Sequence, residues 1–179
     1  KLDIAPKLKF FLWQILNQGL QVRANLHYKC AEISENCPTC GTPKEDEDHL
    51  FINCPLITNF WFQRKTIVWL EERIPIVDFI HTLNYIKRTK EATSPLMTKF
   101  IFSIWSIWKS RNNFIFSQKD ININDIFERA RFAYLEWKNR HDLTQNITHN
   151  TTQEGRSACI HPHSHQPNII QVSWEKPIG

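Results

Sequence analysis

Apolar residues recur at helical spacing from the start of the chain. Near the N-terminus they follow the i, i+3, i+4, i+7 pattern of one helix face, at Leu8, Phe11, Leu12, Ile15 and Leu16. Pro6 stands where a first-turn proline is tolerated, and Gly19 can end the segment. This pattern predicts a helix beginning near Pro6, and a second short helix is predicted over residues 22–29.

The same spacing continues through the middle of the chain. Pro55 is predicted to begin a helix that reaches residue 70, with apolar positions at Ile57, Phe60, Trp61 and Leu70. A further helix is predicted from its apolar positions at Ile76, Phe79, Ile80, Leu83 and Ile86. The polar run KRTKEATS ends that segment, so the next element is expected to begin after it.

Two longer amphipathic segments follow and predict a helical hairpin. Ser94 and Pro95 have the character of an N-cap and a first-turn proline. The helix they begin carries one apolar face at Met97, Ile101, Ile104, Trp105 and Trp108. Asn122 or Asn124 is expected to cap its partner, whose apolar face lies at Ile126, Ala130, Ala133 and Trp137.

The predicted fold is therefore mainly α. No period-2 run of strand length competes, although a short β-hairpin at Cys37 and Cys40 would leave no recognisable pattern and stays open. After Arg140 the chain is polar and rich in Asn, Thr and His, so a disordered tail is predicted. We expect a small zinc-stapled helical domain at 1–70, a helical region with the hairpin at 71–140, and a polar linker at 141–179.

Composition and charge limit the class of protein and its expected cellular location. The net charge is +4, far below that of histone-like or arginine-rich nucleic-acid binders. The sequence contains no run of about 18 apolar residues and no secretory cleavage signature. We therefore expect an intracellular protein of the nucleus or cytoplasm, neither secreted nor in a membrane. Five cysteines, an odd number, favour metal or thiolate chemistry over a disulfide framework there.

The stretch CPTCGTPKEDEDHLFINC, residues 37–54, has the spacing Cys-x2-Cys-x8-His-x4-Cys. Three thiolates and one imidazole are a complete tetrahedral set for structural zinc, so we predict that zinc is bound by Cys37, Cys40, His49 and Cys54. The alternatives are a thioredoxin-like redox pair or incidental buried cysteines. Pro38 and its neighbours Gly41 and Pro43 favour a loop over the strand and helix that redox chemistry needs.

Other candidate ligands and catalytic residues are weaker. Cys30 with His27 could supply an alternative ligand, but four ligands already fill the tetrahedron. His161, His163 and His165 could hold a metal only weakly. The acidic run at residues 45–48 is expected at a helix N-terminus, where the helix dipole favours carboxylates. No phosphate loop, nucleophile elbow, HExxH helix or adjacent aspartate pair occurs, so we predict that the chain is not an enzyme.

Two blocks resemble one known family. The first is Pro6-Lys-Leu-Lys-Phe-Phe-Leu-Trp13, Asn25-Leu26, the Cys37 and Cys40 pair, Glu47-Asp-His-Leu-Phe51 with Cys54, and Trp61. It resembles, over about residues 1–70, the zinc-binding domain downstream of the polymerase in plant non-LTR (LINE-type) retrotransposon reverse transcriptases. The second, Ile107-Trp-Lys-Ser-Arg-Asn-Asn-Phe-Ile-Phe116, is similar to the helix that follows it, and residues 174–179 resemble the start of the next ribonuclease H domain.

The resemblance implies a non-catalytic module with structural Zn²⁺, since the catalytic residues of the polymerase and ribonuclease H would lie outside these 179 residues. Its partners would be those two domains and RNA or DNA. Because few basic residues are available, we expect nucleic acid to be bound weakly and without sequence preference. The expected phosphate contacts are Lys7, Lys9, Arg23, Lys29, Lys109 and Arg111. The alternative is a structural or protein-interaction spacer that does not touch nucleic acid.

Overall fold

The computed structural model describes residues 4–42, 44–63, 74–89 and 94–154. Its α-helices are α1 (Pro6–Leu16), α2 (Arg23–Lys29), α3 (Pro55–Gln63), α4 (Ile76–Thr89), α5 (Ser94–Ser117) and α6 (Ile123–Glu154), and a π-helical turn (His49–Asn53) precedes α3. Within these ranges no strand occurs, which confirms the predicted mainly α class. The Cys37 and Cys40 segment is a loop with turns, so the β-hairpin left open by the sequence does not form.

Within the described residues, one cluster of buried side chains runs from Ile4 in the N-terminal segment to Ile126 in α6. Helices α1 and α4 both pack on α5, and the π turn packs on α3. The domain boundary predicted at residue 70 lies outside the described residues. Buried side chains before and after it belong to the same cluster, so the metal loop and the helical hairpin share one core.

Aromatic rings join the helices at the centre of this core. Phe11 of α1 meets Trp105 of α5 edge-on, with ring centroids 5.0 Å apart, and lies 6.0 Å from Phe51 of the π turn. Trp61 of α3 stacks on Phe100 of α5 at 5.7 Å. Because edge-to-face and offset stacked pairs stabilise beyond their buried area, these contacts fix the π turn and α3 against α5.

The π turn places three consecutive apolar side chains, Leu50, Phe51 and Ile52, in the core. Its longer hydrogen-bonded ring is closed by Cys54 N donating to His49 O at 2.7 Å. The Phe51 carbonyl accepts a hydrogen bond of 2.8 Å from the buried indole Nε1 of Trp61. Trp61 thereby holds the π turn at the position where two of the predicted metal ligands lie.

The helix starts agree with the prediction, whereas the last helix extends further than predicted, and the end at residue 70 predicted for the Pro55 helix lies outside the described residues. Helix α5 begins at Ser94, as predicted, and Asn122 caps α6 because its Oδ1 accepts from Asn124 N at 2.8 Å. Helix α6 continues to Glu154, well beyond Arg140, where a linker was predicted. No Gly or Pro lies between residues 141 and 154, so nothing in that stretch interrupts the i to i−4 hydrogen bonds, and Gly155 follows the last helical residue.

Two compact units are present, Lys1–His141 and Asp142–Gly179. The core and the sites below belong to the first unit. The structure does not describe Cys159, the segment 174–179 or the three histidines named above as weak candidate ligands, at 161, 163 and 165. Among the helices that are described, none is long and apolar enough to cross a membrane.

Candidate metal centre

The Cys37 and Cys40 thiols are brought together by a tight loop. Gly41 N donates to Cys37 O at 2.9 Å, and Cys37 N donates to Thr42 O at the same distance. Gly41 has φ of +74°, in the left-handed region where a residue without Cβ is unstrained. The sequence Cys-Pro-Thr-Cys-Gly therefore folds back on itself and directs both sulfurs to one side.

The π turn supplies the other two ligands from its two ends. His49 is its first residue, and Cys54 follows its last residue. Asp46 Oδ1 accepts from His49 N at 2.8 Å, which anchors the start of the turn. The spacing between the two ligands is one π-helical turn, so the imidazole and the thiol lie on the same side of the backbone.

The four ligand atoms of Cys37, Cys40, His49 and Cys54 all lie within 4.8 Å of one another. In a regular tetrahedron with Zn–S bonds of about 2.3 Å, the sulfurs would be roughly 3.8 Å apart. Cys37 and Cys54 are only 1% exposed, whereas Cys40 and His49 are partly exposed. This set of three sulfurs and one nitrogen can hold a metal ion that lies at the edge of the core.

Two threonine hydroxyls lie beside the sulfurs. Thr39 Oγ1 is 3.1 Å from Cys37 Sγ and 3.6 Å from Cys54 Sγ. Cys40 Sγ lies 2.9 Å from Thr42 Oγ1 and 3.3 Å from His49 Nε2. Hydroxyls at these positions can donate to thiolates, and Nε2 is the imidazole nitrogen that faces the cluster.

Protonation of the two buried thiols is coupled. The pKa of Cys37 is raised to about 12, mainly by its hydrogen bond with Cys54 and to a smaller extent by burial. The same hydrogen bond lowers the pKa of Cys54 to about 7. Because thiolates are the metal-binding form, a metal ion that enters here must displace the shared proton, so binding is coupled to proton release.

The alternative ligands do not join this cluster. Cys30 is exposed and follows the end of α2, and His27 Nδ1 lies 2.7 Å from Ile33 O. The cysteines of the described segments are free thiols, so no disulfide competes with the metal site there.

Each carboxylate of the acidic run accepts a hydrogen bond from a different part of the fold. Glu45 Oε2 accepts from Arg23 N at 2.9 Å, and Asp48 Oδ1 accepts from Ile76 N at 2.7 Å. With the Asp46 contact to the π turn, three carboxylates thus serve the N-termini of three helical elements, as the dipole argument favours. Glu47 is the exception, since its Oε1 accepts from Asn25 Nδ2 at 2.9 Å and burial raises its pKa.

The predicted phosphate contacts are distributed unevenly. Four of them are exposed and Arg23 is half-buried; the exposed residues are Lys7, Lys9, Lys29 and Lys109. Arg111 differs, because its side chain is only 4% exposed and its Nε and Nη2 both donate to the fully buried Glu45 carboxylate. A guanidinium engaged in this way cannot also reach a phosphate, so we remove Arg111 from the set.

Sequence reasoning missed the Glu45 and Arg111 pair and the two threonines beside the sulfurs. Arg111 offered one indication, since it lies one helical turn after the buried Ile107, on the apolar side of α5, where an unpaired cation is costly. Its partner could not be named because the two residues are 66 positions apart.

Residues 1–61 match the family model described as "zinc-binding in reverse transcriptase". This segment contains all four residues of the cluster. Comparisons with curated proteins and with solved structures found no match. The family match and the geometry of the three sulfurs and one nitrogen thus agree on a candidate metal-binding segment within residues 1–61.

Proposed function

We propose that this chain carries the zinc-stapled, non-catalytic module of a plant-type, non-LTR (LINE-type) reverse transcriptase, and that the module binds nucleic acid weakly and without sequence preference. The observation that carries the proposal is the convergence of Cys37, Cys40, His49 and Cys54 within the segment that matches the family model.

Zinc suits the donor set better than other divalent ions. Three sulfurs and one imidazole nitrogen favour Zn²⁺ over Mg²⁺ or Ca²⁺, which prefer oxygen. Four protein ligands close the tetrahedron and leave no position for a reactive water, so the role is structural. The metal would join the Cys37 loop to the π turn and thereby to the core.

The finer assignment to LINE-type elements is supported by contact between the two resembling blocks. Arg111 of the second block pairs with Glu45, which lies inside the first. The second block is thus integral to the fold around the metal loop, as expected if both blocks form one module.

Nucleic-acid binding is proposed from the remaining cations, Lys7, Lys9, Arg23, Lys29 and Lys109. Zinc held by three thiolates and one neutral imidazole would carry a negative net charge, and the acidic run at residues 45–48 lies between its ligands in the sequence. Phosphates are therefore expected on the flanking helices and not on the metal loop. Five single-strand contacts would give a slope of log K against log salt of about −3.5, at about −0.7 for each contact.

The proposal is tested by binding of a labelled oligouridine, about 12 nucleotides long, to the zinc-loaded chain at several salt concentrations. The variant Lys7→Glu, Lys9→Glu, Arg23→Glu should lose binding, because three contacts are replaced by repulsion. The matched control Lys119→Glu, Arg131→Glu, Lys138→Glu makes the same charge change at positions outside the set. A wild type that does not bind, or equal loss in both variants, would contradict the proposed role.

A further inference from the structure

A groove of about 270 Å³ lies between the start of α1, the middle of α5 and the stretch of α6 from Arg129 to Arg140. Its lining combines four cationic side chains with two indole rings, at Lys7, Trp105, Lys109, Arg129, Trp137 and Arg140. One carboxylate, Glu136, also lines it and pairs with Arg140 at 3.5 Å. The groove therefore has an excess of positive charge next to aromatic surface.

We propose that this groove binds single-stranded nucleic acid, with one unpaired base against an indole and the adjoining phosphates against the cations. The inference rests on the proposed function and adds to it a location, a stacking contact and a preference for single strands over duplex. Only Lys7 and Lys109 of the groove were among the cations expected from the sequence.

The two indoles are held by packing. Trp105 meets Phe11 edge-on at 5.0 Å, and Trp137 lies 6.5 Å from Phe102 and 6.1 Å from Tyr134, all between ring centroids. His141 lies 5.2 Å from the Trp137 ring and covers part of it. Both tryptophans are nevertheless only partly buried and line the groove, so some ring surface remains there. A base that stacks on such a ring strengthens binding by about 5- to 150-fold, and does so for any of the four bases.

The cations are arranged for a flexible anionic strand. Lys7 and Lys109 are exposed, and no ion pair within the described residues involves their ammonium groups. Arg129 Nη1 donates to the buried Ser110 Oγ at 3.0 Å, which holds that guanidinium beside α5. One guanidinium held by a hydrogen bond and two exposed ammonium groups can follow a backbone whose phosphates are not at a set spacing.

The size of the groove favours an unpaired base. Its volume is just below the range of about 300–1,000 Å³ that is usual for small-molecule pockets, so it suits a nucleoside-sized group. A duplex keeps its bases stacked inside and could offer only phosphates to this surface. Duplex binding would thus lack the aromatic contribution.

The experiment measures the affinity of the zinc-loaded chain for oligouridine, for oligothymidine and for a duplex of the same length. Trp137→Leu should weaken binding of both single strands by about 5- to 150-fold and leave duplex binding within about twofold. Lys109→Glu should weaken binding of all three ligands and make the slope of log K against log salt for single strands shallower by about 0.7.

Matched controls lie outside the groove. Trp13→Leu changes a tryptophan that is 57% exposed on α1, and Lys119→Glu changes an exposed lysine in the connection between α5 and α6. Both should bind as wild type does. Because Trp137 also packs in the fold, each variant is compared in thermal unfolding, and Lys109→Glu tests the groove without touching the core.

The outcomes separate this proposal from the proposed function. If the wild type binds single strands but neither Trp137→Leu nor Lys109→Glu changes the affinity, only the groove is refuted. Polyglutamate is added as a competitor at the same concentration of negative charges as oligouridine. If it displaces oligouridine, the groove binds any polyanion without base stacking, and the inference fails. Absence of any binding by the wild type would overturn both. If Trp137→Leu and Lys109→Glu both lose affinity for oligouridine and for oligothymidine, the proposed groove is supported.

Discussion

Replacing Arg111 with methionine should be among the most damaging single changes in this fold. Arg111 Nε donates to Glu45 Oε1 at 3.1 Å, and its Nη2 donates to Oε2 of the same carboxylate. The Glu45 residue is 0% exposed and Arg111 is 3% exposed, so neither charge is solvated by water. Methionine would fill much of the space but leave the carboxylate without its counter-ion.

The expected cost follows from that burial. Two unit charges about 4 Å apart attract by about 4 kcal/mol at an effective dielectric constant of about 20. Breaking a buried pair on one side costs about 3–5 kcal/mol, which is a large share of a typical unfolding free energy of about 5–15 kcal/mol. Glu45 Oε2 also accepts a hydrogen bond from Arg23 N, so a displaced Glu45 side chain should also destabilise the start of α2.

The assay is urea unfolding of the zinc-loaded chain, followed by helical circular dichroism. The control is Arg131→Met, which breaks the ion pair between Arg131 and Glu128. The two charged groups of this pair are 3.2 Å apart, but both side chains are more than half exposed. That exposed pair should be worth less than about 1 kcal/mol. Adding Glu45→Gln to Arg111→Met should recover part of the loss, because no ion is then left unpaired. Equal costs for Arg111→Met and Arg131→Met, or no recovery in the double variant, would refute the reasoning.

Three further changes test other contacts. Trp61→Phe removes the donor to the buried Phe51 carbonyl and should cost about 1–3 kcal/mol or more in urea unfolding; an unchanged midpoint would show that this bond does not hold the π turn. Asp48→Ala removes the acceptor for Ile76 N at the start of α4 and should cost about 0.5–2 kcal/mol, whereas Asp120→Ala, at an exposed position, should change stability by less than about 0.5 kcal/mol. Removal of zinc with a chelator should reduce hydrogen-exchange protection in α5 as well as in the metal loop, because Glu45 joins the two; full protection of α5 without zinc would contradict this coupling.

Local patterns predicted most of the helices because their physical causes are local. The apolar spacing around Phe11 and the proline at Pro6 determine α1 through contacts within a few residues. The ligand spacing from Cys37 to Cys54 likewise specified the candidate metal site, since two tight turns bring the four side chains together. These features depend on short stretches of chain, and the sequence displays them directly.

Other features depend on contacts between distant residues, and these were predicted wrongly or not at all. Arg111 was assigned to phosphate because its charge is visible in the sequence, whereas its burial depends on Glu45, 66 residues earlier. The π turn was not expected, since Leu50, Phe51 and Ile52 are buried together by rings from α1 and α3. The extension of α6 beyond Arg140 shows that a polar composition alone does not end a helix when no breaker is present.

The central claim, that Cys37, Cys40, His49 and Cys54 bind one structural zinc ion, is tested most directly by elemental analysis of the purified full chain. We predict one zinc per chain in the wild type and in Cys30→Ser, whose thiol is exposed and outside the cluster. Cys40→Ser should lose the metal, since a hydroxyl replaces one of the three thiolates. Zinc retained at full stoichiometry in Cys40→Ser, or lost in Cys30→Ser, would contradict the assignment.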